Sequence, residues 1–351
     1  MISKKIRHIC DALVGMALCA AAIWGCTDSG KTLPSATGSI YEMLVVCDRQ
    51  QWDGETGADI KSVMSADMPC LPQMESYFTL SQCTPAQFDN FLKPTRNILI
   101  IDINAERYTT CKAYYLKNHW SKPQAVCRIQ SPSWEVFSEY FKQNGEQVRA
   151  WFVREEITRQ GRFYQGYETT DTRRAVEKQF GCDIRIPEDY LLVREKQNLV
   201  WCVNDGGSLR RDLIIWSYPY NSKEQLSLDS LLAKRNEVLG ANISGSLEGT
   251  YMGTEYKHFP PILTEINIRD NWCAEVRGLW KMQGGEAMGG PFVQHTRIDE
   301  INHKIITAEV LIFAPGQKKR NPLRQAEAIL YTLQLPQERN QLKEIEVATQ
   351  Q

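Results

Sequence analysis

The stretch GGEAMGGPF, residues 284–292, is where this sequence comes nearest to a phosphate-binding loop. Gly284 and Gly289 have the spacing of the two glycines of a P-loop, whose backbone N–H groups cradle phosphate. The next two residues should be Lys and then Ser or Thr; they are Gly290 and Pro291. A strand pattern follows where a helix is needed, and Glu286 would repel an anion. The P-loop reading fails. Two readings stay open: a tight connection whose glycines supply positive φ, or a loop that lets backbone approach a ligand at Gly289 and Gly290.

A second candidate is the basic run Lys318, Lys319, Arg320 and Arg324. It crowds the start of a helix for which Asn321 is the expected cap and Pro322 the first-turn residue. Cations at a helix N-terminus oppose the positive end of its dipole. A bound anion would offset them, since free N–H groups already attract one. Nearby carboxylates or plain solvation would serve as well. Arg277 and Trp280 share a strand with Glu275, and alternation puts Arg277 and Trp280 on opposite faces. Arg277 pairs with carboxylates across the sheet or lines a groove.

Catalytic signatures are thin. No H-E-x-x-H occurs, and GSLEG at 245–249 places its serine one residue out of register for G-x-S-x-G. His295 and His303 flank an expected hairpin with Asp299 in its turn, a weak arrangement for a metal. No metal or cofactor is expected. Beyond Cys26 the cysteines are Cys47, Cys70, Cys83, Cys111, Cys127, Cys182, Cys202 and Cys273. None forms a C-x-x-C pair. LVVCD, AVCRI, VWCVN and NWCAE place cysteine inside strand-like runs, where it acts as a small buried hydrophobe. The five tryptophans Trp52, Trp120, Trp201, Trp216 and Trp272 are core candidates; two exposed together would suggest a sugar-stacking surface.

The elements that must position these residues fall into two series. In the first, apolar runs at 43–47, 77–83, 98–103 and 124–129 read as strands. Residues 59–64 read as a short helix. Thr84, Pro85 and Gln87 have the pattern of a helix start, with Phe88, Phe91 and Leu92 to follow. Ser131 and Pro132 open a long helix through Trp134, Phe137, Phe141, Val148 and Phe152, with a bend expected at Asn144-Gly145. A helix over 171–180 stops at Gly181. In the second series strands are expected at 190–193, 199–203, 213–218, 263–268, 273–282, 291–298 and 304–313. Helices are expected at 226–239 and 322–333. The fold class is α+β: two α/β-layered halves, the C-terminal one a largely antiparallel sheet with packed helices. The expected division is 1–25 signal peptide, 26–38 tether, 39–180 N-terminal domain, 181–335 C-terminal domain and 336–351 polar tail.

The N-terminus supplies an address. Lys4, Lys5 and Arg7 precede the apolar run 12–24, which ends on Gly25-Cys26. As a helix this run spans roughly 20 Å, short of the roughly 30 Å hydrocarbon core. A charged leader with a short apolar core is the pattern of an export signal. Ile23, Gly25 and Cys26 resemble the lipobox of bacterial lipoproteins. That resemblance implies cleavage before Cys26 and acyl chains on its thiol, with each buried CH₂ contributing ~0.8 kcal/mol to membrane binding. Thr27 at the second position favours the outer membrane by the same resemblance, and the periplasmic face is favoured because only Asp28 is acidic nearby, where a surface-export signal would be more acidic. The whole chain balances 41 Lys+Arg against 42 Asp+Glu, so no global basic field points to nucleic acid.

RGLWKM at 277–282, MGGPF at 288–292 and APGQKKRNPLRQAEAILYTL at 314–333 resemble a family of Bacteroidota lipoproteins known as a domain of unknown function, DUF4837. GSIYEMLVVCD at 38–48, IPEDYLLV at 186–193 and GTYM at 249–252 fit it too. The resemblance implies no activity, catalytic residue or cofactor. The strand-rich second half is also similar to a PsbP-like antiparallel sheet, an analogy of fold alone. The expectation is a lipid-anchored cell-envelope protein that binds or scaffolds, its partner an envelope protein or glycan. The alternative is an envelope hydrolase acting on glycan or peptide, which needs a cleft with convergent carboxylates or a Ser/Cys–His pair. A small-ligand carrier between the halves is the third.

Overall fold

The computed structural model describes residues 32–285 and 287–341. In the N-terminal half, β1 (Glu42–Val46), α1 (Arg49–Asp53), α2 (Glu55–Met64), β2 (Thr79–Cys83), β3 (Asn97–Ile103), β4 (Lys112–Lys117) and β5 (Ala125–Ser131) build a sheet of order β2-β1-β3-β5-β4. Its pairs are parallel except β4–β5. Parallel strands are buried on both faces, which is why MLVV at 43–46 and ILII at 98–101 are unbroken apolar runs. Met43, Val45, Leu99, Ile101 and Cys127 face the helices. Leu44, Val46, Ile98, Ile100 and Val126 face the loops that carry Phe88, Leu92 and Trp120.

Two local expectations fail here. Thr84 and Gln87 do form a capping box, but the turn stops after Pro85–Gln87. The Asp89 carboxylate accepts from the amides of Phe91 and Leu92 at 2.9 and 3.2 Å, a local bond that competes with helix propagation. Phe91 is left 85% exposed. Strand β4 is absent from the sequence reading because its edge position leaves KAYYLK without a buried run.

The long helix α3 (Trp134–Tyr164) is continuous through Asn144-Gly145. Its cap is Ser133, whose hydroxyl accepts from the Val136 amide. Gly145 lies under the Phe141 ring, where an added Cβ would come within 3.0 Å, so it serves packing and causes no bend. At 31 residues the helix is roughly 46 Å long. Phe137, Phe141, Val148 and Phe152 join the N-terminal core, whereas Ile157 and Tyr164 join the C-terminal one. One helix therefore ties both cores together. Among the described residues no helix is long and apolar enough to cross a membrane.

The second half comprises α4 (Thr170–Phe180), β6 (Leu191–Lys196), β7 (Leu199–Asp205), β8 (Arg210–Pro219), α5 (Leu228–Asn242), β9 (Tyr251–Glu255), β10 (Ile262–Ile268), β11 (Asn271–Gln283), β12 (Gly289–Asp299), β13 (Lys304–Phe313) and α6 (Arg320–Leu330). The strands form an antiparallel sheet of order β10-β11-β12-β13-β8-β7-β6, with β9 beside the far end of β11. The class is α+β with a largely antiparallel C-terminal sheet. Gly181 ends α4 with φ +67. Ala175, Val176 and Phe180 of α4 pack in the same cluster as Leu323, Ala326 and Ile329 of α6, so α4 sits on the C-terminal sheet. Helix α5 covers the opposite face through Leu231, Leu232 and Leu239, against Trp201, Trp216 and Trp280.

Candidate functional site

The start of α6 already holds an anion, and it comes from the other half of the chain. The Glu75 carboxylate accepts from the amides of Lys319 at 2.6 Å and Arg320 at 3.1 Å. Lys319 occupies the cap position, two residues before the expected Asn321. The basic residues then disperse. Lys318 is exposed. Lys319 is buried and donates to the Gln317 carbonyl. Arg320 donates to the Ser76 carbonyl at 2.7 Å. Arg324 turns inward to Glu327. An external anion at this helix start is superseded by Glu75, which lies 244 residues away in sequence. Glu75→Ala is expected to cost about 1–2 kcal/mol, the range for losing a charged cap. A urea titration checks it, with faster exchange at the Lys319 and Arg320 amides; no change in either contradicts the capping role.

The glycine-rich candidate resolves into two different uses. Gly284 and Gly285 have φ of +89 and +105 and turn the chain between β11 and β12. Gly290 has no positive φ; a Cβ there would lie 2.0 Å from the Ile312 carbonyl oxygen. A Cβ at Gly289 would lie 2.7 Å from the Trp280 carbonyl oxygen, and the Trp280 indole is buried and donates to the Ile312 carbonyl. Trp280, Gly289 and Gly290 are thus a close strand–strand contact, and none of them lines the cleft described below. The tryptophans named from the sequence are buried or half-buried. Cys26 lies outside the described residues.

Arg277 has a different fate. Its guanidinium grips Glu275 (2.7 and 3.0 Å) and Glu327 of α6 (2.5 and 3.3 Å). Arg324 donates to both Glu327 oxygens at 2.9 and 3.0 Å. His295 Nε2, opposite Glu275 in the β11–β12 register, lies 3.1 Å from the same carboxylate. Strand alternation brings Glu275 and Arg277 to one face, and the i, i+3, i+7 stripe Arg324, Glu327, Tyr331 meets them from α6. Burial alone would raise the Glu275 carboxyl, but Arg277 and His295 outweigh it and hold it well below the usual carboxylate range. Burial would lower Arg277 and Arg324; their carboxylate partners outweigh that and raise both. The Tyr331 phenol is pushed far up by burial and by Glu275 and Glu327. These charges are fixed at neutral pH.

This network floors a cleft between the two halves. One wall is α3 from Arg149 to Arg162, another is β10, and the third is the Arg324–Tyr331 face of α6 with the turn after it. The cleft has two adjoining cavities of about 510 and 610 Å³, which share Arg154, Ile157, Asn267 and Tyr331. The β10–β11 hairpin forms its lip. Its two turn residues, Arg269 and Asp270, have φ of +49 and +62, although neither is glycine. Such residues cost of order 1–3 kcal/mol each and persist only where the surroundings over-determine them. Here Arg269 donates to the carbonyls of Tyr331 and Leu333 at the end of α6, and pairs with Glu338. The hairpin is thereby clamped as a fixed lip.

The guanidinium groups that line the wider cavity were not singled out by sequence reasoning. Arg154 and Arg162 lie on the polar side of α3, where charged residues are ordinary, and no local signal separates them from a solvated face.

Residues 169–332 match the model of a family described as "Domain of unknown function (DUF4837)". The C-terminal half of this chain is thus similar to the DUF4837 family over those residues. Residues 36–165 match a second model, "Domain of unknown function (DUF8532)". The DUF4837 match begins just before α4 and ends just past α6, so the cleft lies between the two matched regions, with α3 from one and β10 and α6 from the other. No curated protein matches this chain. Among solved structures, the Ran-binding protein Mog1p of Saccharomyces cerevisiae is similar at 8% identity and TM-score 0.28, over 44% of this chain and 90% of its own. The human StarD13 (DLC2) lipid transfer and protein localization domain follows at 9% identity and TM-score 0.21, over 41% and 88%. Human STARD10 is at 8% and 0.23, over 46% and 80%.

Proposed function

We propose that this chain is a lipid-anchored protein of the bacterial cell envelope that holds a ligand in the cleft between its halves and does no chemistry on it. The address rests on the short apolar run ending at Gly25-Cys26. The anchor is acylated Cys26, and the body faces the periplasm from the outer membrane. The binding role rests on one observation: a cleft of two joined cavities whose floor is a closed ion network. A pre-formed concavity with a few fixed polar groups is the usual form of a ligand site.

The chemistry of the cleft favours binding over hydrolysis of glycan or peptide. A hydrolase needs a carboxyl poised near neutral pH, or a nucleophile activated by a base. Glu275 is held ionised between Arg277 and His295. Burial pushes the thiols of Cys127, Cys182, Cys202 and Cys273 up to about 12, far from a reactive thiolate. In this reading the basic start of α6 couples the halves through Glu75 and is not the ligand site.

The test uses the full-length protein in neutral detergent, mixed with fractionated envelope glycans and peptides. Native mass spectrometry is expected to find an adduct of unchanged ligand mass. Hydrogen exchange should then slow along α3 after Arg149 and along β10. Appearance of cleaved glycan or peptide would replace this reading by the hydrolase. Protection elsewhere would remove the cleft as the site. Replacement of Cys26 by serine should abolish incorporation of labelled palmitate and release the protein from membranes; retained label defeats the anchor.

A further inference from the structure

We infer that the ligand of this cleft is a small polyanion, carrying at least two phosphate, sulfate or carboxylate groups. The inference rests on the cleft being the binding site, and it concerns what the walls select. Four arginines line the wider cavity: Arg154, Arg162, Arg185 and Arg269. Asp270 is the one carboxylate among its described lining residues. A chain with net charge −1 has thus gathered a local excess of positive charge in a concave place, where low-dielectric walls focus the field.

The four are not equivalent. Arg269 is held by the end of α6 and Glu338. Arg185 pairs with Glu168 and reaches the Gly161 carbonyl. Arg154 and Arg162 are exposed, and no side-chain hydrogen bond or ion pair engages either among the described residues. Elsewhere in the cleft every guanidinium is spoken for, including Arg149, which donates to the Val63 carbonyl and lies over Tyr77. Two arginines left open in a cavity where the others are paired are the groups available to a ligand. They stand eight positions apart on one helix, roughly 12 Å along its axis. Thr158 lies between them on the same wall. Long arms at that spacing close on two separated anionic groups better than on one. Guanidinium suits this task because its planar fork bonds an oxyanion through two parallel N–H groups. Gly161, where a Cβ would come within 3.3 Å of Thr332, lets α3 approach the turn after α6 and closes the cavity's end.

The test compares wild type with Arg154→Ala/Arg162→Ala, both full-length in neutral detergent at fixed ionic strength. Both residues are exposed, so the double variant should fold normally. Calorimetric titration uses pyrophosphate, citrate and a neutral disaccharide. A further arm dopes cardiolipin, a lipid that carries two phosphates, into the micelles, to separate a lipid headgroup from a soluble anion. Pyrophosphate or citrate should bind wild type with slowed exchange along α3, and at least tenfold more weakly in the double variant. Lys318→Ala, an exposed cation outside the cleft, should bind as wild type does. Binding confined to the doped micelles, and lost in the double variant, keeps the anion and assigns it to a lipid. Equal binding by wild type and double variant overturns the inference. So does a wild type that takes only the disaccharide, while cleft protection by that sugar would leave the binding role standing. If no anion binds, the inference falls whatever the envelope fractions show.

Discussion

Arg235→Ala is expected to lose about 3–5 kcal/mol of stability, the cost of leaving a buried charge without its partner. Arg235 lies on α5 with no exposed surface, and Glu309 of β13 is equally enclosed. The guanidinium meets both carboxylate oxygens, at 2.8 and 2.7 Å, and donates a third bond to Thr254 on β9 at 2.8 Å. Its Cζ lies 3.8 Å from the Phe292 ring centre, so the charge is also packed. Removing the arginine strands Glu309, whose carboxyl is already raised by burial despite the pairing. It also opens a hole between α5 and the sheet. Against a total of about 5–15 kcal/mol for a typical domain, this is a large fraction. Urea denaturation of the pure variant measures it. The double variant Arg235→Met/Glu309→Leu is expected to recover most of the loss, since it removes both charges and keeps the volume. A single variant within about 1 kcal/mol of wild type, in the range of ordinary surface changes, would show that the pair contributes little.

The second large effect belongs to Glu327, under the cleft. Glu327→Gln keeps the shape and removes the charge that Arg277 and Arg324 share. Arg324 is left without a carboxylate and Arg277 with Glu275 alone. About 3 kcal/mol is expected, the lower end of the cost of breaking a buried ionic group. The consequence reaches further than a surface charge would. Arg324 lies within 5.9 Å of the Tyr41 ring and 5.5 Å of the Tyr77 ring, both in the N-terminal half. The variant should therefore speed hydrogen exchange at β1 and in the 75–78 segment as well as in α6. If stability falls but exchange rises in the C-terminal half alone, the network does not couple the halves.

Much of the fold was legible from local pattern. Leu323, Ala326, Ile329, Leu330 and Leu333 mark the buried face of α6 by helical spacing, and all are buried. Seven of the second half's eight strands fall close to where alternation and apolar runs put them; β9, a short strand beside the far end of β11, was not among those expected. Gly181 ends α4 in the left-handed conformation that only glycine adopts freely. Failures came where a short local bond or an edge position overrode the pattern. Asp89 stopped the helix expected through Phe91, and β4 lacks a buried run because one of its sides has no neighbouring strand. The site was less legible than the fold. Arg277 stood out beside Glu275, but its second partner Glu327 lies fifty residues away. Arg154 and Arg162 read as any solvated helix face does.

From the chain alone follow its α+β class and the faces that most of its elements bury. All of these depend on periods of two or 3.6 residues, or on a contiguous run, and such information is local. Which charges meet was decided by tertiary structure: Glu75 with the start of α6, Arg235 with Glu309, and the arginines of α3 with an open cavity. Ionic interaction depends on distance and burial, and residues far apart in sequence acquire both only when the elements that carry them pack.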